Sequence, residues 1–325
     1  MMKSTGVLTA LFVSALLIGV AAREPQAQAF PTRSMHVIVG FPAGSGADIT
    51  ARVVGQRMAQ NLGQPVVVEN RAGAGSSLAA EFVARAPKDG HTLLLATVAN
   101  PILAVVNPNL PYNFPRDFAP IARLATTPNV LVVHPSIKVT SVKELIAYAK
   151  ANPDKLSFGS SGVATVTHLS GELFKAMTGI QMVHVPYPGS AQAVTDLIAG
   201  RIQVLFTPAS GVLQHARAGK VVALASTEAK RAGAAQDLPT MAEAGVGGFE
   251  TGLWFGLLAP YGTPQPIIDK LNHAANEALK STEVAQALVP QGMDLVGGSA
   301  DEFAKYLDGE MRRWAPVVAA AGLKK

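Results

Sequence analysis

Two short runs of small residues are the segments of this 325-residue chain best suited to hold a ligand. One is Phe41-Pro42-Ala43-Gly44-Ser45-Gly46-Ala47-Asp48; the other is Gly159-Ser160-Ser161-Gly162-Val163-Ala164-Thr165. Each follows a run that reads as a short strand and precedes a segment with helical spacing of apolar residues. A helix that begins at such a turn offers unpaired backbone N–H groups and the positive end of its dipole. Gly, Ala and Ser let an anion approach those groups closely. One such loop alone is more readily read as a tight turn. Two, in equivalent places of two α/β units, point to an anion gripped from both sides, because ligands of open α/β sheets sit beyond the carboxyl ends of the strands.

Other chemistries fail on spacing. Gly44-Ser45-Gly46-Ala47-Asp48-Ile49 has Ile where a dinucleotide-binding G-x-G-x-x-G needs its third Gly, and neither loop is followed by the Gly-Lys-Ser/Thr of a P-loop. Gly159-Ser160-Ser161-Gly162 is one residue short of a nucleophile elbow. The chain has no Cys, and no two of its seven His residues lie three or four apart. Neither a metal nor a cofactor is expected. His168, just inside the helix after the second loop, is the one histidine placed to reach a ligand.

The elements around these loops set the architecture. Met35–Val39, Pro65–Val68 and Thr92–Leu95 read as strands, with helices from about Asp48 to Gly63 and up to about Arg85 between them. Asp48 stands as an N-cap or first-turn acid. Strands alternating with helices predict parallel sheets. Residues 99–120, with five prolines, read as irregular connecting chain. A strand at Val130–Val133 opens a second unit, in which Leu156–Phe158, Met182–Val185, Val204–Phe206 and Val221–Ala225 are strands. Leu253–Ala259 is a further strand, too isolated to found a third domain, so the chain is expected to return to its first unit. The division predicted is 30–127 with 253–325 as lobe 1 and 128–252 as lobe 2, with two crossings between them. Ser141/Glu144 and Ser299/Glu302 mark capped helix starts.

Residues 1–29 read as a cleaved export signal: Lys3, an uncharged run from Gly6 to Ala22, and Ala27-Gln28-Ala29 before Phe30. A periplasmic location follows, and the missing Cys excludes a lipid anchor on cysteine. The net charge is +5, but basic and acidic residues are interspersed and aromatics make up only 6% of the chain. That excludes a nucleic-acid-binding face.

Beyond these patterns, Val39-Gly40-Phe41-Pro42-Ala43-Gly44-Ser45-Gly46-Ala47-Asp48, Glu69-Asn70-Arg71-Ala72-Gly73-Ala74-Gly75, Pro111-Tyr112-Asn113-Phe114-Pro115, His184-Val185-Pro186-Tyr187 and Trp254-Phe255-Gly256-Leu257-Leu258-Ala259-Pro260 resemble the Bug family, the substrate-binding receptors of tripartite tricarboxylate transporters. The resemblance runs along the whole chain after the signal. It implies the α/β, two-lobe periplasmic-binding-protein fold of type II, each lobe a sheet flanked by helices. It implies a small carboxylate as ligand, membrane transporter subunits as partners, and no catalysis; a monomer is expected. Carried residue by residue, it points to Phe41, Ala43, Gly44, Ser45, Asp48, Thr97 and Asn100 in the first lobe. In the second it points to Ser160, Gly162, Ala164, Thr165 and His168, with Tyr187 and Gly189 behind them. Pro188 stands where the family often has a basic residue, which favours a ligand with one carboxylate and an apolar body. The alternatives are a carboxylate sensor coupled to a histidine kinase, or a hydrolase on the same scaffold, which would need a nucleophile–base pair that the sequence does not display.

Overall fold

The computed structural model describes residues 30–153, 155–231 and 233–324; the expected export signal lies outside them. The first sheet opens with β1 (Met35–Val39), α1 (Gly46–Leu62), β2 (Val66–Asn70), α2 (Ser77–Ala84) and β3 (Thr92–Thr97). Then come α3 (Ala99–Val106), α4 (Phe114–Asp117) and β4 (Phe118–Thr127). The chain crosses to a second sheet through β5 (Asn129–Val133), α5 (Val142–Ala151), β6 (Ser157–Ser160), α6 (Val166–Thr178) and β7 (Val183–Pro186), followed by α7 (Ser190–Ile198), β8 (Val204–Pro208), α8 (Ala209–Arg217) and β9 (Val222–Ser226). It returns as β10 (Leu253–Pro260), α9 (Gln265–Leu279), α10 (Thr282–Leu288), β11 (Asp294–Leu295) and α11 (Ala300–Ala320).

The strand orders are β11-β4-β10-β3-β1-β2 and β7-β6-β8-β5-β9. Both sheets are mixed, where alternation of strands and helices predicted parallel ones. β1 pairs in parallel with β2 and β3, but β10 runs antiparallel to β3 and β4, and β5 antiparallel to β8 and β9. β5 and β10 enter directly from the other sheet, whereas β11, which is antiparallel to β4, follows β10 through α9 and α10. No crossover helix dictates the direction of β5 and β10.

Residues 99–120 are also more regular than their prolines suggest. Pro101 falls in the first turn of α3 and Pro115 in the first turn of α4, where a missing N–H costs nothing. Pro120 lies in β4 beside a register shift against β10 and beyond the reach of β11, which pairs only with Ala125 and Thr126. A bulged edge tolerates proline.

Helices cover both faces of each sheet, so strands read as continuous apolar runs rather than alternating ones. Val37 and Val39 pack with α1 and α9, while Ile38 packs with α2, α3 and α11. In the second sheet Leu131 and Val133 face α5 and α6, and Val130 and Val132 face α7 and α8. Sheet membership changes after Thr127 and again between Ser226 and Leu253. The two connecting segments are tied together: the Thr227 N–H donates to the Asn129 carbonyl at 2.9 Å and the Thr251 N–H to the Thr227 carbonyl at 3.0 Å.

Candidate ligand-binding cleft

Both small-residue loops leave the carboxyl end of a parallel strand and start a long helix. Ser45 caps α1, accepting from the Asp48 N–H, and Thr165 caps α6, accepting from the His168 N–H. The residue before each cap has a left-handed backbone, φ 79° at Gly44 and φ 60° at Ala164. That conformation turns its N–H back toward the third residue of the helix. Gly44 donates to Asp48 Oδ2 at 2.9 Å, and Ala164 to His168 Nδ1 at 3.1 Å.

These two helix starts open into one cavity of about 460 Å³ between the sheets. Phe41, Ser45, Gly46 and Ala47 border it from the first sheet, and Ser161 through Thr167, Gly162 excepted, from the second. The backbone N–H groups of Gly46, Ala47, Val163, Val166 and Thr167 find no acceptor among the described residues. Two further helices begin at the same cavity, α3 at Ala99 and α7 at Ser190, and neither N-cap residue supplies a side-chain cap.

Of the residues the sequence singled out, Phe41, Ser45, Thr97, Ala164 and Thr165 border the cavity. The others do not, and several brace those that do. Ala43, Gly44 and Gly162 belong to the turns themselves. Asp48 is buried beneath its loop, bonded to Gly44, Arg52 and Asn70. Burial works to raise its carboxyl pKa; the hydrogen bonds from Arg52, Gly44 and Asn70 together outweigh that and hold it below the ordinary range. Asn100 is buried and accepts from the Thr97 N–H at 2.9 Å. Tyr187 donates to Asp196 at 3.0 Å, away from the cavity, and Gly189 is the N-cap of α7 next to the lining Ser190.

His168 stacks on His184 at 3.8 Å between ring centroids, and His184 stacks on Phe158 at 4.9 Å. Burial, aided by the Lys175 charge, lowers the His168 pKa to about 4. Burial and the neighbouring His168 lower that of His184 likewise to about 4. Both rings are therefore neutral at neutral pH, as the acceptor role of His168 Nδ1 requires. Ser160 Oγ lies 2.7 Å from His184 Nε2, superficially a nucleophile–base pair. The hydroxyl is fully buried, bonded to both the N–H and the carbonyl of Gly162, and does not reach the cavity.

The sequence reading passed over Asn129, Ser161, Thr167 and Ser190, all of which border the cavity. It also passed over the wall formed by Ile102, Leu103 and Val106 of α3, hidden by the irregular reading of that stretch. Asn129 is fully buried and neither end of its amide has a hydrogen-bond partner among the described residues. Its position, one polar residue between Pro128 and the apolar run Val130–Val133, was the available signal.

A family described as the tripartite tricarboxylate transporter family receptor matches residues 50–323. The chain belongs to this family. Protein BugT of Bordetella pertussis is 37% identical over 325 residues, covering 99% of both chains. Among solved structures, R. palustris Rpa4515 with adipate is 36% identical with a TM-score of 0.72, covering 90% of this chain and 98% of that one. MatC from Rhodopseudomonas palustris with bound malate is 33% identical with a TM-score of 0.71, covering 89% and 100%. The receptor is thus a periplasmic solute-binding protein of the TctC and Bug type, not an enzyme.

Proposed function

We propose that this receptor captures a small carboxylate between the starts of α1 and α6 and hands it to the membrane subunits of a tripartite transporter. The observation that carries this reading is the shared cavity, into which two helices from different sheets direct unpaired N–H groups. Relatives whose structures hold adipate and malate support a carboxylate as the guest. Hydrogen bonds to a charged group are worth about 1.5–3 kcal/mol each. Five such donors approach the roughly 8 kcal/mol of a micromolar complex, before ordering costs.

In this proposal residues 30–127 with 253–325 and residues 128–252 move as two lobes about the paired crossings, and closure shuts water out. Export by residues 1–29, with cleavage before Phe30, is part of the same reading. The test is thermal unfolding of residues 30–325 against a panel of mono-, di- and tricarboxylates, sugars and divalent metals. A carboxylate at a hundred times its Kd adds about 2.7 kcal/mol, a rise of several degrees in the midpoint. A midpoint that responds to sugars or metals and to no carboxylate overturns the reading.

A further inference from the structure

The cavity has a chemical asymmetry that the carboxylate reading alone does not require. Among the described residues, no Asp, Glu, Lys, Arg or His borders it. The cations carried by α1 and α6 near their starts are already engaged: Arg52 with Asp48 and Asn70, and Lys175 with Glu172. The polar groups that remain are neutral: the unpaired N–H groups where α1 and α6 begin, the uncapped start of α7, the lining Ser and Thr hydroxyls, and the Asn129 amide, fully buried with both ends unpartnered among the described residues. A buried amide without partners is costly unless something satisfies it. Apart from the Ser and Thr hydroxyls of the loops, the wall is apolar: Phe41 and Phe255 on the first-sheet side, Ile102, Leu103 and Val106 along α3, and Val163 from the second-sheet loop. The last three α3 positions recur at i, i+1 and i+4, so one flank of that helix forms a continuous hydrocarbon surface.

Resting on the carboxylate reading, we propose that the ligand is an amphipathic monocarboxylate. Its single anionic group lies among the helix starts and Asn129, and its uncharged apolar body lies along α3. A second carboxylate would have to shed its water against Ile102, Leu103, Val106 and Phe255 with no cation to meet it, which disfavours dicarboxylates. Lengthening an apolar body inside such a pocket strengthens binding by about tenfold or more per methylene until the space is filled.

The experiment is isothermal titration of residues 30–325 with hexanoate, octanoate and phenylpropanoate, set against adipate and neutral hexanamide. At least one monocarboxylate is expected to bind about tenfold or more tighter than adipate, and hexanamide to bind more weakly than hexanoate. Leu103→Lys is expected to reverse the order in favour of adipate. Asn129→Leu is expected to weaken monocarboxylate binding while leaving the unfolding midpoint unchanged or raised, since it removes an unpartnered buried amide. A purely structural asparagine would instead show a lowered midpoint with affinity intact. If adipate binds more tightly than every monocarboxylate, this inference falls while the carboxylate reading stands. If hexanamide matches hexanoate, or no carboxylate binds at all, both fall.

Discussion

At the start of α1, Ser45 caps the helix, Gly44 takes the left-handed conformation, and Asp48 accepts the Gly44 N–H. At the start of α6, Thr165, Ala164 and His168 do the same three things. The backbone problem is identical: a turn must aim first-turn N–H groups into the cavity, and the third helical side chain pins it. The chemistry of the pin differs. Asp48 carries a negative charge near the proposed anion site, and Arg52 and Asn70 are recruited to hold it. His168 is an acceptor without charge, kept neutral by burial and by Lys175. Geometry therefore came out equivalent while electrostatics did not: the α6 side presents its dipole with an uncharged pin.

The largest expected effect tests whether both starts hold the same anion. Ser45→Asp and Thr165→Asp keep an efficient N-cap but place a carboxylate on the cavity wall. Two like charges about 5 Å apart at an effective dielectric near 20 repel by about 3 kcal/mol, so each variant should lose carboxylate affinity by roughly a hundredfold. Titration calorimetry reads the loss, and circular dichroism should show an unchanged melt. Retained affinity in only one of the two would show that the anion sits on the other helix alone.

A comparable effect separates the pins by pH. The His168–His184 stack has folded pKa values of about 4 against 6.5 unfolded. Below pH 6.5 the unfolded chain takes up protons that the folded one refuses, so stability falls as pH drops and levels near pH 4. Glu172 and Lys175 are the charged groups facing the stack. The shift amounts to something on the order of 3 kcal/mol for each histidine. Asp48, with a folded pKa below its ordinary 3.8, acts in the same direction but only at still lower pH. Glu228 opposes the histidines: burial raises its pKa to about 7, so its stabilisation is complete below pH 4.5 and lost as pH rises through 7. The diagnostic is thus a difference. Urea unfolding from pH 7.5 to 4.5 should fall less steeply for a His168→Gln, His184→Gln double variant than for the parent. Parallel curves would mean that the imidazoles are not excluded from protonation.

This pairing of pins was only half readable in the sequence. Small residues after a strand announce a βα turn whatever the fold, and the two loops and most strands were legible on that ground. Whether Asp48 and His168 face a ligand or hold up the loop depends on φ at the preceding residue, and composition signals that at Gly44 but not at Ala164. The α3 wall was missed because proline looks the same in a first helical turn as in a loop. Asn129 was missed because its meaning lies in lacking partners, which only the packed crossings reveal.

The next effect concerns how much each pin contributes. Asp48→Ala strands the Gly44 N–H, Asn70 and Arg52 together and should cost about 2–3 kcal/mol. Asp48→Asn keeps an acceptor and should recover about half of it. His168→Gln, which strands at most the Ala164 N–H, should cost about 1 kcal/mol. Denaturant midpoints rank the three; equal costs would mean that Arg52 and Asn70 do not depend on Asp48.

The smallest effect isolates the backbone. A Cβ at Gly44 would meet nothing within 4 Å, so Gly44→Ala carries only the penalty of a left-handed alanine, about 1 kcal/mol. Ala164 already bears that penalty at φ 60°. Ala164→Gly relieves it but adds freedom to the unfolded chain worth about 0.4–1 kcal/mol, and the two nearly cancel. Chemical denaturation should therefore show Gly44→Ala clearly destabilised and Ala164→Gly within about 0.5 kcal/mol of the parent. A stabilisation well beyond that at position 164 would mean that the turn before α6 is under more strain than its φ angle implies. The equivalence of the two helix starts would then hold for their hydrogen bonds but not for their backbones.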